Sequence, residues 1–321
     1  MSDLLPVSVI IPTRNCRDEL IEHLKMMHPV FEKAAQVIGV DGSSHDGTAE
    51  VLREFTESRP NAKFLSLPPG LYEGWNAAVS EAQQPWVYFS TIGDWTTYAG
   101  LDRLLREAEE YLADVVVSPP RMVQGKNRQS VQIRWPIHFL LEGRDELSAV
   151  LLKQSEAILW ATSFLPSSFL GSSASNLYRT QLMQQYPFPV DFERAGDTAW
   201  TIEVCSFSKF LMLRDTIADF MVDNSASGSR ATAKFELLQS LQEFARRKLF
   251  KSNLGGGEWM SVWMNAVFES QCIPWRWLSS QDELAAKYHE LIQINQQMEK
   301  EIQSRLPERI FQMIQRRFNK K

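Results

Sequence analysis

Short apolar runs alternate with segments of helical periodicity in the first third of the chain. Residues 7–11 form a β-branched run that predicts a buried strand ending at Pro12, and residues 17–27 predict a helix. Further strands are predicted at residues 37–40, 63–67, 86–89 and 115–117, with helices near residues 51–55, 74–82 and 101–112 between them. Alternating strands and helices of this length predict an α/β fold, a mostly parallel sheet flanked by helices.

Helical patterns dominate from residue 195 onward. Helices are predicted at residues 197–207 and 234–250, and apolar residues with helical spacing recur after the glycine-rich linker at residues 253–257. We predict an α/β domain over residues 1–225 and a helical C-terminal extension over residues 226–321.

Composition limits the classes of protein to which this chain can belong. The 321 residues and the apolar fraction of 44% favour one large or two modest globular domains. A net charge of −5 argues against nucleic acid as the main partner, because phosphate binding needs a basic surface. The three cysteines are too few and too scattered for a disulfide framework, and no apolar run reaches bilayer length. We therefore expect a cytoplasmic protein.

Acidic residues follow two of the predicted strands. Parallel sheets bind ligands beyond the carboxyl ends of their strands, where Asp41 and Asp94 are expected. Each also has a simpler interpretation as a turn residue, and Asp41 as a helix cap. A dinucleotide oxidoreductase is poorly supported, because no Gly-x-Gly-x-x-Gly follows the first strand.

Three motifs occur in a familiar order, at residues 7–15, 40–48 and 74–89. They resemble those of inverting family-2 glycosyltransferases with the GT-A fold, and three ordered matches are more specific than one. The resemblance implies a nucleoside-diphosphate-sugar donor and an inverting transfer of the sugar to an acceptor hydroxyl. It assigns donor binding to Pro12, Thr13, Asn15, Asp41, Ser43, Asn76 and Arg230. Arg230 has the alternative of an ordinary surface cation.

The metal motif departs from the family pattern. Family members usually carry an Asp-x-Asp or Asp-Asp cluster here, whereas residues 90–94 contain the single carboxylate of Asp94. The resemblance implies that Asp94 holds Mg²⁺ or Mn²⁺ together with diphosphate oxygens and water. An inactive nucleotide-sugar-binding or scaffold protein with the same fold is the alternative function.

Residues 192–200 resemble the acidic motif that supplies the general base. Asp197 is the implied base, Gly196 stands where a first acidic residue is often found, and Glu193 is a substitute candidate. The simpler interpretation of Asp197 is a helix N-terminal carboxylate stabilised by the helix dipole. Residues 169–176 resemble the loop that lines the acceptor pocket.

The last residues, 305–321, form a basic amphipathic pattern. Such a helix suits an anionic membrane surface, and a saccharide or lipid-linked acceptor would fit a peripheral position at the inner face of the membrane. A helix docked on its own domain or in a coiled coil is the alternative. The resemblance also suggests a role in cell-surface polysaccharide or glycolipid synthesis.

Overall fold

A computed structural model describes residues 4–141, 147–163, 165, 168–222 and 231–251. The chain divides into two compact units, Met1–Ala245 and Arg246–Lys321, and the architecture below is that of the first. This division falls later in the chain than the boundary predicted near residue 225, which stays a prediction.

The strands form two sheets. Their bounds are β1 Leu5–Thr13, β2 Ala34–Asp41, β3 Ala62–Ser66, β4 Trp86–Phe89, β5 Val115–Val117, β6 Arg121–Gln124, β7 Gln129–Ser130, β8 Ala149–Leu151, β9 Asn176–Arg179, β10 Phe210–Leu213 and β11 Asp219–Met221. The large sheet has the order β3-β2-β1-β4-β9-β5-β10-β8, and the small one β11-β6-β7. Strands β1 to β4 pair in parallel, as do β5 and β10, while β9 and β8 run antiparallel to their neighbours. The predicted mostly parallel α/β sheet is confirmed.

Helices cover the sheet. Their bounds are α1 Arg17–Met26, α2 His28–Lys33, α3 Thr48–Glu57, α4 Leu71–Ser80, α5 Tyr98–Glu110, α6 Pro136–Leu140, α7 Gln154–Ser163, α8 Thr180–Gln185, α9 Gly196–Val204 and α10 Ala231–Lys251. The predicted helix at residues 234–250 lies within α10, and whatever follows residue 251 is outside the described residues.

Burial in the core explains why the apolar runs form the central strands of the sheet. Val9 and Ile10 of β1 point to opposite faces, and both are fully buried because helices cover each face of the sheet. Helix α3 approaches β2 so closely that a Cβ at Gly39 would lie 2.8 Å from Cγ of Leu52. Close packing of this kind fixes the positions of the strand ends.

The loops that follow β1, β2 and β4 lie together at the carboxyl ends of these strands. Thr13 at the end of β1 is in register with Asp41 at the end of β2, and Ser90 directly follows β4 on the other side of β1. Because β9 is antiparallel to β4, its first residue, Asn176, brings the preceding loop to the same edge. This is the edge at which ligands bind in open α/β sheets.

Candidate functional site

The loops after β1 and β2 are joined through the Asp41 carboxylate. Thr13 Oγ1 lies 3.2 Å from Asp41 Oδ1, Ser44 Oγ donates to the same oxygen at 2.6 Å, and the Ser44 main-chain N–H donates to Oδ2 at 2.9 Å. Only 1% of Asp41 is exposed. A carboxylate accepts about four hydrogen bonds. The three made here shape the loop, so Asp41 holds this loop in place.

Three further residues assigned to the donor, Pro12, Asn15 and Ser43, lie at the end of β1 or in the same two loops. Asn15 Oδ1 accepts a hydrogen bond of 2.9 Å from the main-chain N–H of His45, and Ser43 Oγ donates to the carbonyl oxygen of Leu67 at 2.8 Å. Asn15 is exposed, whereas Ser43 and Pro12 are half-buried. Asn15 and Ser43 both adopt positive φ, 48° and 56°, which turns the chain sharply at each loop. The structure therefore brings the first two motifs into one surface.

Asn76 lies on α4, apart from these loops. Its Nδ2 donates to the carbonyl oxygen of Phe188 at 2.8 Å, and its Oδ1 accepts from the Phe188 N–H at 2.9 Å. The amide thus pairs with the main chain as another peptide group would, and it holds the segment that leads to α9. Its assignment to donor binding stays a prediction.

Asp94 lies in the turn after β4 and is 6% exposed. Its Oδ1 accepts a hydrogen bond from the Met221 N–H at 2.9 Å, and its Oδ2 accepts from Thr91 Oγ1 at 2.8 Å and Ser172 Oγ at 3.3 Å. Burial raises the pKa of the Asp94 carboxyl to about 6, although these hydrogen bonds and the nearby Arg128 lower it in part. The loop of Ser172, predicted to line the acceptor pocket, therefore contacts the predicted metal ligand.

Arg128 packs against the same turn from the small sheet. Its Nη1 donates to the Gly93 carbonyl oxygen at 2.9 Å, and its guanidinium lies 3.6 Å from the centroid of the Trp95 ring. Its Nε and Nη2 pair with Asp219 Oδ2 at 3.2 Å, while Arg121 binds the same carboxylate at 2.7 and 2.8 Å. Trp95 thus carries a cation on one face of its ring. No sequence pattern marks Arg128 as part of the site.

The side chains of the turn can be tested against a divalent cation. In the described part of the chain, no three His, Cys, Asp or Glu residues group together as metal ligands. Asp94 is the type of oxygen ligand that Mg²⁺ and Mn²⁺ prefer, but both of its oxygens already accept hydrogen bonds. The residues fit such an ion as a site with one protein carboxylate, completed by phosphate oxygens and water.

Buried His23 of α1 lies beneath the turn. Its Nε2 is 2.8 Å from Ser90 Oγ, and its Nδ1 has no hydrogen-bond partner among the described residues. Burial, and secondly the charge of Arg128, lower the pKa of His23 to about 4. A neutral histidine therefore supports the start of the turn that carries Asp94.

Asp197 lies in the first turn of α9 and is half-buried. Its Oδ1 accepts a hydrogen bond of 2.7 Å from the Thr198 N–H. Burial, and next the Asp197 charge, raise the pKa of the Tyr72 hydroxyl of α4, which donates to the carbonyl oxygen of Arg194 at 3.4 Å. Glu193, the substitute candidate, is exposed and has a positive φ of 46°. Asp197 is thus the carboxylate that is held in place by a hydrogen bond, and Tyr72, packed against the neighbouring Gly196, is a residue that sequence patterns missed.

Two predicted features lie outside the described residues: Arg230 and the basic segment 305–321. Among the helices that are described, none is long and apolar enough to span a membrane.

Comparisons with known proteins identify the family. Residues 8–169 match the family described as Glycosyl transferase family 2, whereas no curated protein matches the chain. A crystal structure of S. aureus TarS 1–349 in complex with UDP-GlcNAc aligns with a TM-score of 0.59 and 17% identity, covering 89% of this chain and 79% of that one. Another TarS structure aligns with a TM-score of 0.59 and 18% identity, covering 83% of this chain and 43% of that longer one. The fold is thus the GT-A fold, and the chain belongs to glycosyltransferase family 2.

Proposed function

We propose that this glycosyltransferase moves a sugar from a nucleoside diphosphate to an acceptor hydroxyl with inversion at the anomeric carbon. One observation carries the proposal. The loop joined by Asp41 and the turn of Asp94 follow the carboxyl ends of neighbouring strands, and the turn of Asp197 packs at Gly196 against Tyr72 in the first turn of α4, the helix that follows β3. A donor pocket, a site for the leaving group and a base are the three parts that such a transfer needs.

The donor lies, in this proposal, along the first two loops. Pro12, Thr13, Asn15 and Ser43 form the wall for the nucleoside, and Asp41 holds that wall together through Ser44 and Thr13. TarS, which shares the fold, has been crystallised in complex with UDP-GlcNAc. We therefore take UDP-GlcNAc as the first donor to test.

The diphosphate lies beside Asp94. When bound there, Mg²⁺ or Mn²⁺ supplies positive charge that stabilises the departing nucleoside diphosphate. Asp94 holds this region in one conformation through Met221 and Thr91, and Arg128 fixes the carbonyl of Gly93. Arg230, outside the described residues, is proposed as a further cation for the phosphates.

Asp197 is the proposed general base. Its carboxylate removes the proton of the acceptor hydroxyl as that oxygen attacks the anomeric carbon, on the face opposite the leaving diphosphate. Attack from that face inverts the configuration. The helix N-terminus favours the ionised carboxylate that this role requires.

Donor turnover tests the proposal. Thermal shifts with UDP-, GDP-, dTDP- and CDP-sugars, with and without Mn²⁺, identify the donor, because a ligand of the native state raises its melting temperature. Nucleotide release then measures turnover, in which Asp197→Asn should lower the rate by about 10²–10⁴-fold. Donor binding should remain near that of the wild type.

The control is Glu193→Gln, at an exposed position. It should retain most activity. Wild-type turnover in Asp197→Asn together with loss of turnover in Glu193→Gln would mean that the base is misassigned.

A nucleotide-sugar-binding protein without turnover is the second candidate. The single carboxylate in the turn after β4, already engaged with Met221 and Thr91, favours it. Donor hydrolysis in Mn²⁺ separates the two, because an enzyme hydrolyses its donor slowly even without an acceptor, whereas a pure binder does not. For an active enzyme, we propose a saccharide or lipid-linked acceptor in cell-surface polysaccharide or glycolipid synthesis. We also propose a cytoplasmic position with peripheral membrane contact through residues 305–321.

A further inference from the structure

The Arg128 side chain contacts the residues on both sides of Asp94. Its Nη1 donates to the carbonyl oxygen of Gly93 at 2.9 Å, and this oxygen belongs to the peptide group that joins Gly93 to Asp94. Its guanidinium also lies 3.6 Å from the centroid of the Trp95 ring. Gly93 has a φ of 88° and lacks a side chain that could restrict its conformation. The direction of the peptide group before Asp94 therefore depends on contacts such as the one from Arg128.

The guanidinium is itself fixed by the small sheet. Nε and Nη2 of Arg128 lie 3.2 Å from Oδ2 of Asp219, and only 11% of the Arg128 side chain is exposed. The main-chain N–H of Asp219 donates to the carbonyl oxygen of Trp95 at 2.8 Å, and the N–H of Met221 donates to Asp94 Oδ1 at 2.9 Å. Strand β11 thus contacts Asp94 and Trp95 directly, and it contacts the preceding glycine through Arg128.

A metal site with one protein carboxylate depends on the direction of that carboxylate. Residues 90–94 contain Asp94 as their only carboxylate, so no second acidic side chain of this turn could keep a divalent ion in place. Groups that orient a metal ligand from behind typically change metal affinity about 10–100-fold when they are removed. Arg128 donates to Gly93 and Asp219, so it acts on Asp94 through the main chain of the turn.

We propose that Arg128 is a positioning residue for the divalent-cation site, which holds both neighbours of Asp94 so that the single carboxylate faces the ion and the diphosphate. The inference rests on the metal role proposed for Asp94. The charge of Arg128 by itself has the opposite effect, because a guanidinium repels a divalent cation and its removal would strengthen metal binding. Positioning requires that its removal weakens metal binding. The sign of the change separates the two effects.

The test compares Arg128→Gln with the matched variant Arg59→Gln. Arg59, just after α3, makes the same three kinds of contact. Its guanidinium lies 4.0 Å from the centroid of the Phe55 ring, its Nη1 donates to the Phe55 carbonyl oxygen at 3.3 Å, and its Nη2 pairs with Glu32 Oε1 at 3.1 Å. The Arg59 side chain is 16% exposed. Both variants therefore lose a similar set of contacts, but only Arg128→Gln loses them at the turn of Asp94.

The measured quantity is the gain in nucleotide affinity that Mn²⁺ provides. Calorimetry with the full chain gives the Kd of UDP in EDTA and in Mn²⁺, and GDP, dTDP or CDP is used instead if the thermal screen identifies such a donor. The ratio of the two Kd values reports the metal alone, because both are measured on the same folded variant. In Arg128→Gln this ratio should fall about tenfold, or to one, with the Kd in EDTA unchanged. Arg59→Gln should match the wild type in both quantities.

A second variant, Arg128→Lys, keeps the charge but lacks the planar fork that reaches Gly93 and Asp219 while it stacks on Trp95. It should lower the ratio as Arg128→Gln does, and a wild-type ratio in Arg128→Lys would overturn the positioning role. Asp219 keeps its pair with Arg121 in both variants, so neither leaves this carboxylate without a partner.

Asp94→Asn separates a failure of this inference from a failure of the proposed function. If Asp94→Asn lowers the ratio while Arg128→Gln keeps or raises it, the positioning role is overturned and the metal role of Asp94 stands. A weaker Kd in EDTA with an unchanged ratio in Arg128→Gln would mean that Arg128 binds the phosphates directly, which also overturns the proposal. If Asp94→Asn leaves the ratio unchanged, or if no nucleoside diphosphate binds, the function proposed for Asp94 fails, and the positioning role fails with it.

Discussion

His23 should make the stability of the protein depend on pH between about 4 and 6.5. Its side chain has no exposed surface, and its Nε2 lies 2.8 Å from Ser90 Oγ. Burial lowers the pKa of His23 from 6.5 to about 4, and the positive charge of Arg128 contributes to the shift. Folding thus holds the imidazole neutral, whereas an unfolded chain would protonate it.

The direction and size of the effect follow from this difference. Between pH 6.5 and 4 the unfolded chain binds a proton at His23 that the folded chain does not, so the folded state loses stability as the pH falls. The contribution is complete above pH 6.5 and lost toward pH 4. A shift of this size corresponds to about 3 kcal/mol. Asp94 acts in the opposite direction, because its raised pKa of about 6 favours folding at low pH and that contribution disappears as the pH rises through 6.

A variant is therefore needed to separate the contribution of His23 to the pH dependence of stability from that of Asp94. His23→Gln keeps a polar group that can reach Ser90 but cannot be protonated. Urea unfolding at several pH values between 7.5 and 4.5 gives the free energy of unfolding of each protein. From the high to the low end of this range, the variant should gain about 2–3 kcal/mol relative to the wild type. His45→Gln, at an exposed position, serves as the control and should show no such change. If the free energy of unfolding changes with pH equally in the wild type and in His23→Gln, the reasoning is refuted.

Four further predictions concern the other parts of the molecule. Asp41→Ala releases Ser44 and should weaken donor binding, and unchanged affinity in calorimetry would contradict this. Asp94→Asn removes a buried charge, so it should raise the melting temperature at pH 8, and it should also abolish the Mn²⁺ dependence of turnover. If a chelator has no effect on turnover by the wild type, the metal role is excluded. Gly196→Ala forces the ring of Tyr72 aside and should cost about 1–3 kcal/mol of stability, which equal melting temperatures would rule out. Deleting residues 305–321 should reduce co-sedimentation with anionic vesicles in a salt-sensitive way, and equal binding would remove the segment from membrane attachment.

Several strands and helices could be predicted because the sequence patterns that mark them involve only neighbouring residues. The runs at residues 86–89 and 115–117 coincide with β4 and β5, since an uninterrupted apolar run is what a strand buried on both faces requires. Helix α4 begins at Leu71 instead of residue 74, because Gly70 and not the first apolar repeat marks its start. The antiparallel strands β8 and β9 and the small sheet went unpredicted. These strands are short, and β8, β9 and β11 pair with strands far away along the chain, whereas β6 and β7 pair with each other across a turn.

The sequence by itself determined the alternation of β1 to β5 with helices, the family motifs and the loops at the ends of β1 and β2, because periodicity and motif spacing are properties of neighbouring residues. Only the tertiary structure decided which distant side chains meet. Arg128 lies against the turn of Asp94 because a second sheet packs there, and Tyr72 fills the space over Gly196 because Asn76 and Phe188 hold α4 to the segment before α9. Contacts of this kind depend on packing between elements, which no local pattern records.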